Sequence, residues 1–116
     1  LGPEFRAAQP ARLQQWRELA RMSFPGGKRA PSQAMKNRFS FTALESLNVP
    51  ALFLTGDADL YSPPATVKLY SDRIPGAAFI SVPAAGHSLY WEQPETFNRA
   101  VLNFIVNRNN GNQSRA

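Results

Sequence analysis

The stretch Val49-Pro50-Ala51-Leu52-Phe53-Leu54-Thr55 is a continuous apolar run closed by Gly56. A run this short, without polar alternation, reads as a strand buried on both faces. Such strands belong to parallel sheets covered by helices. Pro50 has no N–H to give to a ladder and fits only the first residue of the strand. A second short strand is expected at Ala78–Val82, carried by Phe79, Ile80 and Val82. Between the two, Pro63-Pro64 opens a helix with Val67, Tyr70 and Ile74 on its apolar face, and Pro75-Gly76 ends it. Two strands joined by a helix of about ten residues can only lie parallel, with a right-handed crossover. The expected class is therefore α/β, a parallel βαβ unit with flanking helices.

On the N-terminal side, residues 9–22 read as a helix. Leu13, Trp16 and Ala20 share one face, with Leu19 on its shoulder. Residues 28–38 are basic, contain Pro31 and read as a loop; a short helix is possible over residues 42–46. On the C-terminal side, residues 83–91 read as a loop. Pro94 opens a last helix whose buried stripe is Phe97, Val101, Phe104 and Ile105. Four segments result: residues 1–5, read as an expression scar and set aside from the fold; 6–46, a connecting helical segment; 47–106, the βαβα unit; and 107–116, a polar, frayed tail. Gly-Pro and Glu-Phe in the first five residues match what a tag protease and a restriction site leave behind.

Composition narrows the function classes. The chain has 116 residues, 43% of them apolar and 18% charged, the balance of one globular domain. It has no cysteine, which excludes a disulfide framework, a thiolate zinc site and a cysteine nucleophile. Together with the lack of a signal-peptide pattern at the start, this points to a cytoplasmic place. No apolar run approaches membrane-spanning length, so no membrane partner is expected. The net charge of +5 sits in residues 1–48, which hold eight basic and three acidic residues, whereas residues 49–116 hold five of each. Without a helix-turn-helix, zinc-finger or RNA-binding signature, this basicity reads as a solvated face rather than a nucleic-acid surface.

Ligands of parallel sheets bind outside the carboxyl ends of the strands. The loop after the first strand carries Asp57 and Asp59; the loop after the second carries His87, the single histidine. Neighbouring strands lie about 4.8 Å apart, so these loops can touch. A carboxylate that fixes an imidazole is the orienting half of a nucleophile–base–acid relay. The same residues have plainer readings. A lone histidine after a strand is commonly a loop residue with a satisfied hydrogen bond, and aspartates shape turns and cap helices. Asp57 and Asp59 without further ligands make a poor hard-cation site, and neither a metal nor a cofactor is expected.

The stretch 49–59, ending in Gly56-Asp57-Ala58-Asp59 and followed by Pro63, resembles the strand and loop that deliver the acid in α/β-hydrolases. Residues 82–97, with Gly86-His87, Glu92-Gln93-Pro94 and Phe97, resemble the histidine loop of the same family. Ile74-Pro75-Gly76-Ala77 is similar to the family's usual link between that helix and the last strand. The resemblance covers residues 47–105; by position it implies that residues 6–46 are a helical segment derived from the family's cap region or connecting it to the sheet. It implies that Asp59 is the triad acid, with Asp57 the rival, and that His87 is the general base. Gly86 then supplies a backbone angle that other residues avoid. Tyr61, Leu89, Tyr90 and Trp91 either line a pocket or pack, and Glu92 braces the loop or starts the helix.

The departure from the family is the nucleophile. No Gly-x-Ser-x-Gly occurs in the chain, and Ser23, Ser32, Ser40 and Ser46 lie upstream of Asp59 without a strand-to-helix elbow. The resemblance thus implies a C-terminal α/β-hydrolase portion, inactive alone, that serves ester, lactone or epoxide hydrolysis in an intact protein. Its strand edges call for a homo-oligomer or a complex with the missing half. The alternative is a free-standing small α/β module that oligomerises and acts as a binding or structural protein.

Overall fold

A computed structural model describes residues 1–23 and 40–113, with side chains as far as residue 107. In chain order the elements are α1 (Pro3–Ala8), α2 (Pro10–Met22), α3 (Phe41–Glu45), β1 (Leu52–Gly56), α4 (Pro64–Ser71), β2 (Ala78–Val82), α5 (Leu89–Glu92) and α6 (Pro94–Gln113). Helices α1, α2, α4 and α6 each begin on a proline, whose fixed φ suits a first turn and whose missing N–H is no loss there. The basic loop expected at residues 28–38 lies outside the described residues.

Strands β1 and β2 are parallel neighbours, in register from Leu52 opposite Ala78 to Gly56 opposite Val82. This is the expected βαβ unit, with α4 as the crossover. Strand β1 begins two residues after Pro50, and the Ala51 carbonyl already accepts the Ala78 N–H at 2.9 Å. Side chains alternate across the sheet. Leu52, Ala78 and Ile80 share a cleft of about 290 Å³ with Ala100 and Phe104 of α6. On the opposite face the Lys68 ammonium of α4 lies 5.9 Å from the centre of the Phe79 ring.

Several expectations are corrected. The strands are not buried on both faces: Leu52, Phe53 and Leu54 are half-buried, and Ile80 and Ser81 are exposed. Two helices flanking two strands cannot cover a sheet face completely. Residues 83–91 are not all loop, since α5 forms within them. Helix α6 runs on to residue 113, past the boundary expected at 106. Residues 1–5 cannot be set aside from the fold. Pro3, Glu4 and Phe5 start α1, Phe5 is buried, and the Gly2 N–H reaches Glu92. The expected stripe of α2 is only partly covered: Leu13 and Trp16 are half-buried, Leu19 and Ala20 exposed. Helix α2 docks through Arg12, which donates to the Trp91 carbonyl and lies over the Phe5 and Trp91 rings, and through Trp16, 5.6 Å from Trp91.

The core sits directly beneath the histidine loop. Val82, Ala85 and Leu89 form one buried cluster, with Leu54 of β1 and Phe97 of α6 packed against it. Gly56 makes this closeness possible. A Cβ at that position would lie 2.1 Å from the Ala85 carbonyl oxygen and 2.7 Å from that of Gly86. Both obstacles are backbone and have no rotamer to escape into. Gly56→Ala is expected to lower unfolding stability by about 1–3 kcal/mol, read as a lower urea midpoint at unchanged slope.

Candidate active site

Two loops leave the carboxyl ends of β1 and β2, and they are stitched together. The Asp57 N–H donates to the Val82 carbonyl and the Ala58 N–H to the Ala85 carbonyl, both at 2.9 Å. These bonds extend the parallel ladder beyond the strands. Next in the chain comes Asp59, only 5% exposed. Its Oδ1 accepts the N–H of Tyr61 at 2.8 Å and that of Ser62 at 3.0 Å, closing the turn on itself. The Ser62 carbonyl in turn accepts the Thr55 hydroxyl at 2.9 Å.

Oδ2 of Asp59 faces the histidine loop and meets Nδ1 of His87 at 2.9 Å. One carboxylate thus divides its oxygens between backbone and imidazole. Asp57 is exposed and points to neither. The structure therefore brings Asp59 and His87 together and leaves Asp57 aside. The His87 side chain is 57% exposed. Beyond Asp59, its neighbour is the Tyr61 ring, with centres 5.1 Å apart. A cavity of about 330 Å³ opens beside the pair, lined among others by Leu54, Gly56, Ser62 and Val67.

Electrostatics suit an ionised Asp59. Burial acts to raise its pKa, but the Ser62 N–H, the His87 ring and the Tyr61 N–H together outweigh it, and the pKa lies below the ordinary value of 3.8. With the carboxylate as acceptor, Nδ1 carries the proton and Nε2 presents its lone pair. A lowered folded-state pKa contributes stability that is complete above the unfolded value and is lost as pH falls through the folded one. Unfolding midpoints measured downward from about pH 5 should therefore fall, with a shallower slope in Asp59→Asn.

Of the aromatic residues expected near the pocket, Tyr61 alone touches His87. Leu89 belongs both to the core and to the lining of the cavity beside the pair, while Tyr90 and Trp91 pack against Trp16. The expectation for Gly86 is corrected as well. Among the described residues only Ala84, at φ 58°, and Gly76, at φ 72°, have positive φ. Gly86 is needed for space, since a Cβ there would lie 2.3 Å from the Gly2 nitrogen. Sequence reasoning offered loop bracing as one role for Glu92, and missed the bond from Gln93. Gln93 donates to the Pro83 carbonyl at 2.7 Å, and Glu92 accepts the N–H groups on both sides of His87. The Glu-Gln-Pro spacing was the only visible signal.

The parallel βαβ unit that carries the pair is matched in structures of the α/β-hydrolase fold. A model of the TAP-like protein family of α/β-hydrolases matches residues 23–114, and the chain belongs to that family. Polyketide synthase ThaQ of Burkholderia thailandensis is 38% identical over 69 residues, which are 59% of this chain and 3% of that protein. The putative non-heme bromoperoxidase BpoC of Mycobacterium tuberculosis is 30% identical over 64 residues, 55% of this chain and 24% of that protein. Its crystal structure superposes with a TM-score of 0.58 at 27% identity, over 60% of this chain and 26% of that one. The carboxylesterase CesB of Bacillus subtilis superposes with a TM-score of 0.56 at 29% identity, over 67% of this chain and 28% of that one. The chain thus spans about a quarter of BpoC and a far smaller share of ThaQ. Among the described residues no helix is long and apolar enough to cross a membrane.

Proposed function

We propose that this chain supplies the acid and the base of an α/β-hydrolase whose nucleophile lies on sequence outside it. The observation that carries the reading is the 2.9 Å bond from Nδ1 of His87 to the buried Asp59 at the carboxyl ends of paired parallel strands. In the assembled site, Nε2 of His87 takes the proton of a serine hydroxyl as its oxygen attacks the carbonyl carbon of an ester. The imidazolium so formed is stabilised by Asp59 and returns the proton to the departing alkoxide oxygen. Water then repeats the sequence on the acyl-serine. With an aspartate nucleophile, His87 activates the water instead. Small esters are the favoured substrates, with lactones and epoxides next; a carboxylesterase among the similar structures supports that order.

Alone, the chain is inert in this reading, because it contains no Gly-x-Ser-x-Gly. The outer edges of β1 and β2 are unpaired among the described residues. Unpaired edges recruit further strands. The free edge of β1 takes the strands that carry the nucleophile, and in their absence it takes a second copy of the chain. The hydrolase relatives favour this reading over a free-standing binding module. The test is to read the coding sequence upstream of the Arg6 codon and to assay the full product on p-nitrophenyl butyrate. A strand–Gly-x-Ser-x-Gly–helix pattern in frame and turnover support the reading. A start codon with nothing hydrolase-like before it sinks the reading.

A further inference from the structure

Glu92 is 5% exposed and ends α5. Its Oε2 accepts the Gly86 N–H at 2.9 Å and its Oε1 accepts the Ser88 N–H at 3.2 Å. Oε2 also accepts the Gly2 N–H at 2.8 Å. All its polar partners among the described residues are backbone N–H groups. A buried carboxylate is costly unless such donors surround it, and the C-terminal end of a helix offers it no help. Gly86 and Ser88 are the two residues that flank His87. The His87 ring is largely exposed, so packing does not fix its direction; the backbone of residue 87 has to.

We propose that Glu92 is the positioning residue of the histidine loop. Its carboxylate holds the N–H groups on either side of His87, so that the ring meets Asp59 through Nδ1 and leaves Nε2 toward the nucleophile. This deepens the reading of His87 as general base and rests on it. The requirement is for two acceptors. Glutamine at this position has the same shape but one acceptor oxygen, so its amide nitrogen faces either Gly86 N–H or Ser88 N–H, donor against donor. Glu92→Gln therefore holds one flank of His87 and releases the other.

The test uses the single histidine as a reporter. In the 116-residue chain, labelled with nitrogen-15, the imidazole of the unmutated protein is expected to show one tautomer, with the proton on Nδ1 in slow exchange. Glu92→Gln is expected to lose that Nδ1–H signal and mix the tautomers, while the amide signals of β1 and β2 keep their positions. If Glu92→Gln keeps the Nδ1–H signal unchanged, Glu92 does not position the ring, and the reading of His87 stands. If the unmutated chain itself shows mixed tautomers, the Asp59–His87 reading fails first. Through-hydrogen-bond couplings from the Gly86 and Ser88 amide nitrogens to the Glu92 carboxylate carbon give a second measurement, independent of any variant. Their detection supports the clamp, and their absence overturns it even if Glu92→Gln fails to fold.

Discussion

Replacing His87 by alanine is expected to cut kcat for ester hydrolysis by the assembled enzyme about 10⁶-fold, with little change in KM. The imidazole is the group on these two loops whose ring nitrogen can take a proton from a hydroxyl and give it back. In the proposed mechanism it acts on the reacting proton rather than on the bound substrate, so ground-state affinity is expected to stay. The ring is exposed and lies outside the buried cluster of Val82, Ala85 and Leu89. The variant should therefore fold, and a loss of turnover reports chemistry. Single-turnover acylation of the serine by p-nitrophenyl butyrate is the measurement. A loss of less than about tenfold would remove His87 from the proton path.

Asp59→Asn is expected to lower kcat about 10⁴-fold. This substitution separates two jobs of one side chain. The asparagine oxygen can still accept the Tyr61 and Ser62 N–H groups, which keeps the turn. Its amide nitrogen then faces Nδ1 of His87. Two donors cannot share that contact, so the imidazole must place its proton on Nε2, where it blocks proton abstraction. The loop survives and the base is in the wrong tautomer. The paired control is Asp57→Asn, at an exposed position whose backbone bond to the Val82 carbonyl the substitution keeps; its kcat should match the unmutated enzyme. Equal losses in both variants would show that the acid role is not confined to Asp59. The imidazole nitrogen-15 signals of the Asp59→Asn chain give the tautomer directly.

Much of the fold was legible because it rests on local rules. The apolar run into Gly56 admits a parallel strand and little else, and Ala78–Val82 is found where its pattern puts it. Prolines mark helix starts because a first turn needs no N–H. What was not legible depends on contacts distant in sequence. Helix α5 is four residues long, too short to show a period. The resemblance favoured Asp59 over Asp57, but the physical reason, an Ala58 N–H already committed to Ala85 where the turn leaves the ladder, was not legible. Gly56 was visible as part of a motif, but its reason, the Ala85 backbone pressed against it, belongs to the fold. Gly86 was misread for the same cause: the crowding comes from Gly2, 84 positions earlier, and not from its own dihedrals.

The stitching of the two loops has a wider consequence. Among the described residues, the hydrogen bonds that set the Asp59–His87 geometry come from residues 55–93, apart from the one Gly2 contact. In the proposed hydrolase this stretch would be a self-sufficient cassette, since carboxylate and imidazole meet here without the nucleophile strand. A cassette of that kind is portable. Grafted as a unit, residues 55–93 would carry the Asp59–His87 contact with them. Protein engineers have the same opportunity: a split hydrolase, cut ahead of β1, would keep its proton relay on one piece and its nucleophile on the other.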